Sequence, residues 1–229
     1  MKITQNYQQI EQRIQEACER SNQKRSDIHI VAVTKSVSIE RTEEAINAGL
    51  IHLGENRPEG LLAKTEHIKT DAKWHYIGSL QTRKVKQVIH TIDFLHSLDR
   101  LSLAQELQKR ATKTIDCFVQ VNVSGEEAKH GIDLNQVEDF VLSLQPFDKI
   151  RVIGLMTMAP HTDDEQVLRS VFSKLKSAQQ KIAAAHYDFA PCSELSMGMS
   201  NDFEIAIEEG ATYVRIGTAL VGDERGDKS

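Results

Sequence analysis

Residues 29–56, HIVAVTKSVSIERTEEAINAGLIHLGEN, read as a complete strand–helix–strand unit. Ile30, Val31, Ala32 and Val33 are β-branched or small and nearly charge-free, the composition of an interior strand. Ser38 then opens an apolar-periodic helix that runs to about residue 48, and 50-LIHLG starts a second strand. Two strands joined through a helix lie parallel. A parallel sheet needs both of its faces covered.

Reading outward, the same alternation fills the chain. Further strand signals are 73-KWHYIG, 92-IDFLHSL, 115-IDCFVQVNV, 150-IRVIGLMTM, 192-CSELSMG and 212-TYVRIG, and the first strand begins at 28-IHIVAVT. Helical patterns fall near 38–48, 56–69, 81–90, 99–112, 133–144, 163–186 and 200–209. In the longest, Val167, Val171, Leu175, Ala178 and Ile182 recur three and four apart, as one face of an amphipathic helix does. An additional helix precedes the first strand, with Tyr7, Ile10, Ile14, Ala17 and Cys18 on one face.

Strands that each lead into a helix, in a chain near the roughly 250 residues such folds take, predict an α/β fold: a closed (β/α)8 TIM barrel. An open doubly wound sheet is the rival, but its G-x-G-x-x-G fingerprint is absent after the first strand. No linker or low-complexity tract interrupts the sequence. The expected organisation is therefore one domain over 1–229: an N-terminal helical extension (1–27), the barrel (28–222) and a short tail (223–229).

Composition narrows the function. Hydrophobic residues make up 40% of the chain, enough for a sizeable core. A net charge of −5, with both signs interspersed, argues against a nucleic-acid binder. No stretch approaches the roughly 20 apolar residues of a membrane span, and the polar, helix-patterned N-terminus does not read as a signal peptide. Cys18, Cys117 and Cys192 are scattered without metal-ligand spacing, which predicts reduced thiols in a cytoplasm and no metal site.

A barrel of this kind builds its site at the C-terminal ends of its strands. Those ends are polar or glycine-bearing here, from Thr34-Lys35 and Gly54-Glu55-Asn56 to Ser196-Met197-Gly198-Met199-Ser200 and Arg215-Ile216-Gly217-Thr218. Lys35 follows an apolar strand, where poor solvation would lower an ammonium's pKa and expose an amine for Schiff-base chemistry. The plainer reading is a lysine that snorkels out of the rim.

The segment 196-SMGMSNDFEIAIEEG-210 places Ser200 as an N-cap, with Asn201 and Asp202 at a helix start that favours an anion. Gly217 and Thr218 stand at the end of the last strand, Gly217 allowing close backbone approach. Each segment alone reads as an ordinary capped helix or turn. Together, at the two strands where barrels often hold a phosphate, they point to a phosphate cup.

A Schiff-base lysine and a phosphate cup in one mouth suggest pyridoxal 5′-phosphate. Arg215 is the candidate partner of its pyridine nitrogen. A permanently charged arginine there disfavours protonation of the ring and weakens it as an electron sink.

These residues and motifs carry a resemblance. VAVTK, HLGEN, WHYIGSLQTRK, HSLDR, VQVNVSGEEAKHGI, GLMTMAP and LSMGMSNDFEIAIEEGATYVRIGTALVG together resemble the YggS/PROSC family of pyridoxal 5′-phosphate homeostasis proteins, related in fold to the N-terminal barrel of alanine racemase. The resemblance implies that Lys35 carries the cofactor as an internal aldimine. It also implies that Ser200, Gly217 and Thr218 hold the phosphate, Arg215 lies near the pyridine nitrogen and Asn56 lines the pocket. GENRPEG departs at Arg57-Pro58 from the family's common GENYVQE, which affects the local helix start.

Racemases of this fold type add a β-domain that brings a tyrosine as second base. The sequence given runs only to 222-GDERGDKS-229, which leads to the expectation that this domain and its dimer interface are missing. Tyr7, Tyr76, Tyr187 and Tyr213 offer no obvious replacement, and racemisation needs an acid and a base on opposite faces of the ring.

The expected function is accordingly a cytoplasmic, monomeric pyridoxal-phosphate binding protein of vitamin B6 homeostasis, with no catalytic residue assigned and with cofactor-dependent apoenzymes as possible recipients. A weak racemase or lyase using the same lysine is the alternative, and a cofactor-free Schiff-base aldolase a third. His161 with Asp163 and Asp164 reads as a loop opening a capped helix, not a metal cluster, and 83-RKVKQVIH-90 as a solvated helix face. Lys129-His130-Gly131 lies near the mouth with no role assigned.

Overall fold

The computed structural model describes residues 2–126 and 130–224. Its strands are β1 (His29–Val33), β2 (His52–Glu55), β3 (Lys73–Tyr76), β4 (Phe94–Leu98), β5 (Ile115–Asn122), β6 (Ile132–Asp133), β7 (Ile150–Met156), β8 (Glu194–Met199) and β9 (Tyr213–Ile216). The helices are α1 (Ile3–Ser21), α2 (Ile39–Asn47), α3 (Pro58–His67), α4 (Val85–Val88), α5 (Leu101–Arg110), α6 (Val137–Ser143), α7 (Glu165–Ala183), α8 (Phe203–Glu208) and α9 (Thr218–Val221).

The sheet runs β4-β3-β2-β1-β9-β8-β7-β5, and β4 pairs β5 to close it. Every pairing is parallel, so the fold is the expected (β/α)8 barrel. The two-residue β6 adds to the upper end of β5 outside the ring.

Alternation along the strands builds two cores. Ile30 and Ala32 of β1 pack into the layer between barrel and helices, while Val31 turns inward with Phe118, Ile153, Met156 and Tyr213. The inward set also contains His52, His75 and His96, so the interior of this barrel is partly polar.

Helix α1 lies on α8 and α9, burying Ile10, Ile14, Ala17 and Cys18 as its sequence pattern predicts, with Tyr7 partly buried at the edge. The Asn6 side-chain amide donates to the Leu220 carbonyl at 2.9 Å, and the Arg13 guanidinium sits 4.6 Å over the Phe203 ring.

Two local expectations are corrected. The apolar face of α7 is formed by Leu168, Val171, Phe172, Leu175 and Ile182, whereas Val167 is exposed. The stripe drifts around a helix of 3.6 residues per turn, so both members of the pairs 167/168 and 171/172 fit the spacing and only packing selects between them.

The second correction concerns Ser200, which is not an N-cap. Helix α8 starts at Phe203, and residues 200–202 form a turn in which the Asp202 carboxylate accepts from the Met199 amide at 2.5 Å. A local side-chain bond of this kind competes with the helix. Gly198 makes the approach possible: it adopts φ +90°, and a Cβ there would lie 2.6 Å from that of Ala206.

Candidate functional site

The C-terminal ends of the strands surround a cavity of about 510 Å³, within the range usual for small-molecule sites. Lys35, Asn56, Ser200, Arg215, Gly217 and Thr218, the six residues singled out from the sequence, all line it. Its apolar wall is supplied by Val33, Ile77, Met158, Ala159, Pro160 and Met199.

Lys35 sits in the turn that leaves β1, before Ser38 caps α2 by accepting from the Arg41 amide at 3.2 Å. The expectation of a poorly solvated Lys35 is corrected: the residue is exposed, because the turn carries it clear of the packed strand end.

The buried lysine of this corner is Lys64 of α3, 5% exposed and paired with the Glu55 carboxylate at 2.6 Å. Lys64 also donates to the Thr34 carbonyl, and the Thr34 hydroxyl donates to Glu55 at 2.6 Å. Both charges are therefore satisfied, as burial demands. The triad fixes the backbone of the residue next to Lys35.

Asn56 is held from the other side. A Cβ on Gly78 would lie 2.3 Å from the Asn56 carbonyl oxygen, so only glycine permits this approach of the β2 and β3 ends. The Arg57-Pro58 departure is absorbed without disrupting the helix: Arg57 is extended and Pro58 takes the first helical position of α3, where a proline lacks nothing.

Arg215 closes the floor. It is fully buried, and burial lowers its pKa to about 10 against a modest upward pull from Asp202, so it is charged at neutral pH. Its guanidinium donates to the Ser196 hydroxyl at 2.6 Å and to the Thr157 carbonyl at 2.9 Å. Burial raises the Asp202 carboxyl above its ordinary value, while the Met199 amide and the Arg215 charge pull it back.

Sequence reasoning did not single out Gln120 or Thr162, read His161 as a loop residue and left His130 near the mouth without a role, yet all four line this cavity. His161 sits beyond β7 in the loop that Asp164 closes, where the Asp164 side chain caps α7 as anticipated. Lys129 lies outside the described residues. Among the described residues, no group of three His, Cys, Asp or Glu side chains is arranged to hold a metal ion, and no helix is long and apolar enough to cross a membrane.

The donor set fits a phosphorylated pyridine aldehyde. It combines a primary amine, two hydroxyls beside a strand-end backbone, a buried cation and apolar walls that can flank a ring.

The chain matches the family model for the N-terminal domain of alanine racemase over residues 5–225. It is 41% identical over 218 residues to the pyridoxal phosphate homeostasis protein of Aquifex aeolicus, covering 93% of this chain and 95% of that one. The chain belongs to this family. Among solved structures it is similar to PipY of Synechococcus elongatus with PLP bound, at a TM-score of 0.80 and 28% identity, covering 90% of this chain and all of that one (100%). Alanine racemase of Clostridium difficile shares the fold at a TM-score of 0.73 and 15% identity, this chain being matched over 91% of its length and that one over 56%.

Proposed function

We propose that this protein binds pyridoxal 5′-phosphate in the cavity at the barrel mouth and acts in intracellular cofactor homeostasis, without established turnover. The observation that carries this reading is the meeting of Lys35, Ser200, Arg215, Gly217 and Thr218 in one cavity. Its family membership and its likeness to PipY, a structure with PLP bound, support it.

In this reading Lys35 supplies the amine that anchors the cofactor aldehyde. Ser200, Thr218 and the Gly217 backbone hold the phosphate, Arg215 faces the ring nitrogen and Asn56 lines the pocket. When bound, the cofactor supplies an electrophilic carbon and an electron-withdrawing ring. The protein is taken to be monomeric and cytoplasmic, with cofactor-dependent apoenzymes as recipients; three buried free thiols, Cys18, Cys117 and Cys192, agree with a reducing compartment.

A weak racemase or lyase is the second reading, favoured by the presence of His161, a titratable side chain, on the same cavity. Two measurements test the pair. Equilibrium dialysis should retain pyridoxal phosphate far better than pyridoxal, and equal retention would remove the phosphate cup. Alanine incubated with the loaded protein in deuterium oxide should keep its α-proton; rapid exchange would establish the enzyme instead.

A further inference from the structure

Three histidines fill the inside of the barrel, and nothing in the binding of a cofactor has so far used them. His52 Nδ1 lies 2.8 Å from His75 Nε2, and His75 Nδ1 lies 2.8 Å from His96 Nε2. His96 Nδ1 lies 2.9 Å from the Ser196 hydroxyl, to which Arg215 donates at 2.6 Å. The strand register creates this ladder. Gly54 is level with His75, and His75 with Phe94, so each histidine stands one inward position above the last.

The direction of every proton in the file follows from its upper end. A guanidinium only donates, so the Ser196 oxygen accepts from Arg215, and within the file the Ser196 proton can go only to His96 Nδ1. A neutral imidazole that accepts at Nδ1 carries its proton on Nε2. His96 Nε2 then donates to His75 Nδ1, and His75 Nε2 donates to His52 Nδ1. Running the file the other way would make the Ser196 oxygen accept twice, from Arg215 and from His96, and leave its buried proton with no acceptor among its hydrogen bonds. With the other tautomers kept, protonating His52 or His75 would set two N–H groups against each other, and protonating His96 would turn an N–H toward the Ser196 hydroxyl proton.

We propose that the His52–His75–His96–Ser196 file is the neutral counter-dipole of Arg215: three Nε2–H imidazoles, each turning its Nδ1 lone pair up the barrel, orient the guanidinium and hold it charged without a contacting carboxylate. The hydrogen-bond partners of Arg215, the Ser196 hydroxyl and the Thr157 carbonyl, are both neutral. Asp202, the carboxylate whose field reaches it, is occupied by the Met199 amide. A carboxylate in contact would neutralise the cation toward the cavity, whereas a neutral file leaves its charge to act there. That consequence, a ring nitrogen kept unprotonated, rests on the reading of the cavity as a pyridoxal-phosphate site. The tautomers do not. His52, His75, His96 and Ser196 are on this account positioning residues, acting through Arg215.

The test is a two-bond nitrogen–proton correlation spectrum of histidine side chains in 15N-labelled, cofactor-free protein at neutral pH. His52, His75 and His96 should all appear as neutral Nε2–H tautomers. Ser196→Ala should produce mixed tautomers at His96 and His75, and Ser196→Thr should restore the single form. If Ser196→Ala does not fold, Arg215→Gln tests the same link, because an amide can accept the Ser196 proton and release the file to reverse. A parental Nδ1–H or doubly protonated ring, or tautomers unmoved in the folded variants, would overturn the proposal. Adding pyridoxal phosphate to the same parent sample separates the two claims. The expected tautomers without bound cofactor would sink the reading of the cavity alone, and bound cofactor with other tautomers would sink the file alone.

Discussion

Arg215 and Ser196, on adjacent strands β9 and β8, meet through a guanidinium-to-hydroxyl hydrogen bond of 2.6 Å where the polar barrel interior reaches the cavity. Below that bond lie His96 and His75, both fully buried. Burial first, and then the neighbouring cation and imidazoles, holds both rings well below the ordinary histidine value of 6.5.

The pH dependence of stability follows from those two rings. A lowered folded-state value means that the neutral form belongs to the folded protein, so their contribution is complete above about pH 6.5 and is lost as acid protonates the unfolded chain. At pH 5 each fully buried ring should cost about 2 kcal/mol relative to pH 8. His52, held down to about 4 mainly by burial, pulls the same way, with His29, Lys73 and Asp93 around it. Urea unfolding at the two pH values measures the sum, and equal stabilities would contradict neutral buried rings.

The Lys64–Glu55 pair should behave as a buried ion pair. Lys64→Met leaves the Glu55 carboxylate without its cation and should destabilise the fold by about 3–5 kcal/mol. Lys64→Met combined with Glu55→Gln should recover a large part of that loss, as a double-mutant cycle in urea would show. Additive losses would mean that the two charges do not depend on each other.

Gly78→Ala tests the contact behind Asn56. The added methyl falls on backbone, which cannot step aside as a flexible side chain can, so a loss of about 1–3 kcal/mol is expected. Pyridoxal-phosphate retention should weaken with it, because Asn56 shares the cavity wall. Unchanged thermal unfolding and dialysis together would show that the β2 and β3 ends are looser than described.

The barrel was legible because its information is local and periodic. HIVAV and the helix that follows it announce a strand and its crossover within one short segment, and the pattern repeats around the ring. Lys35, Ser200, Arg215, Gly217 and Thr218 were legible as strand-end residues, and the fold then gathers strand ends. Ser200 was misread as a cap because the competing bond, from Met199 to Asp202, depends on the φ of Gly198 and its packing against α8. The Schiff-base reading took Lys35 to be poorly solvated, whereas the lysine that is buried at this corner, Lys64, comes from a different element 29 residues later. The histidine file left one available signal: His52, His75 and His96 each occupy an inward-facing position of successive strands, in HLG, WHY and LHS. Which of those positions face one another is set by barrel register, which no single segment encodes.

The central claim is that Lys35 anchors pyridoxal phosphate, and an absorbance spectrum tests it most directly. Purified protein and its Lys35→Ala variant are compared before and after the cofactor is added. The account predicts a visible band in the parent, distinct from that of free cofactor, which Lys35→Ala does not develop although it unfolds at the same temperature. Identical spectra from the two proteins would contradict it.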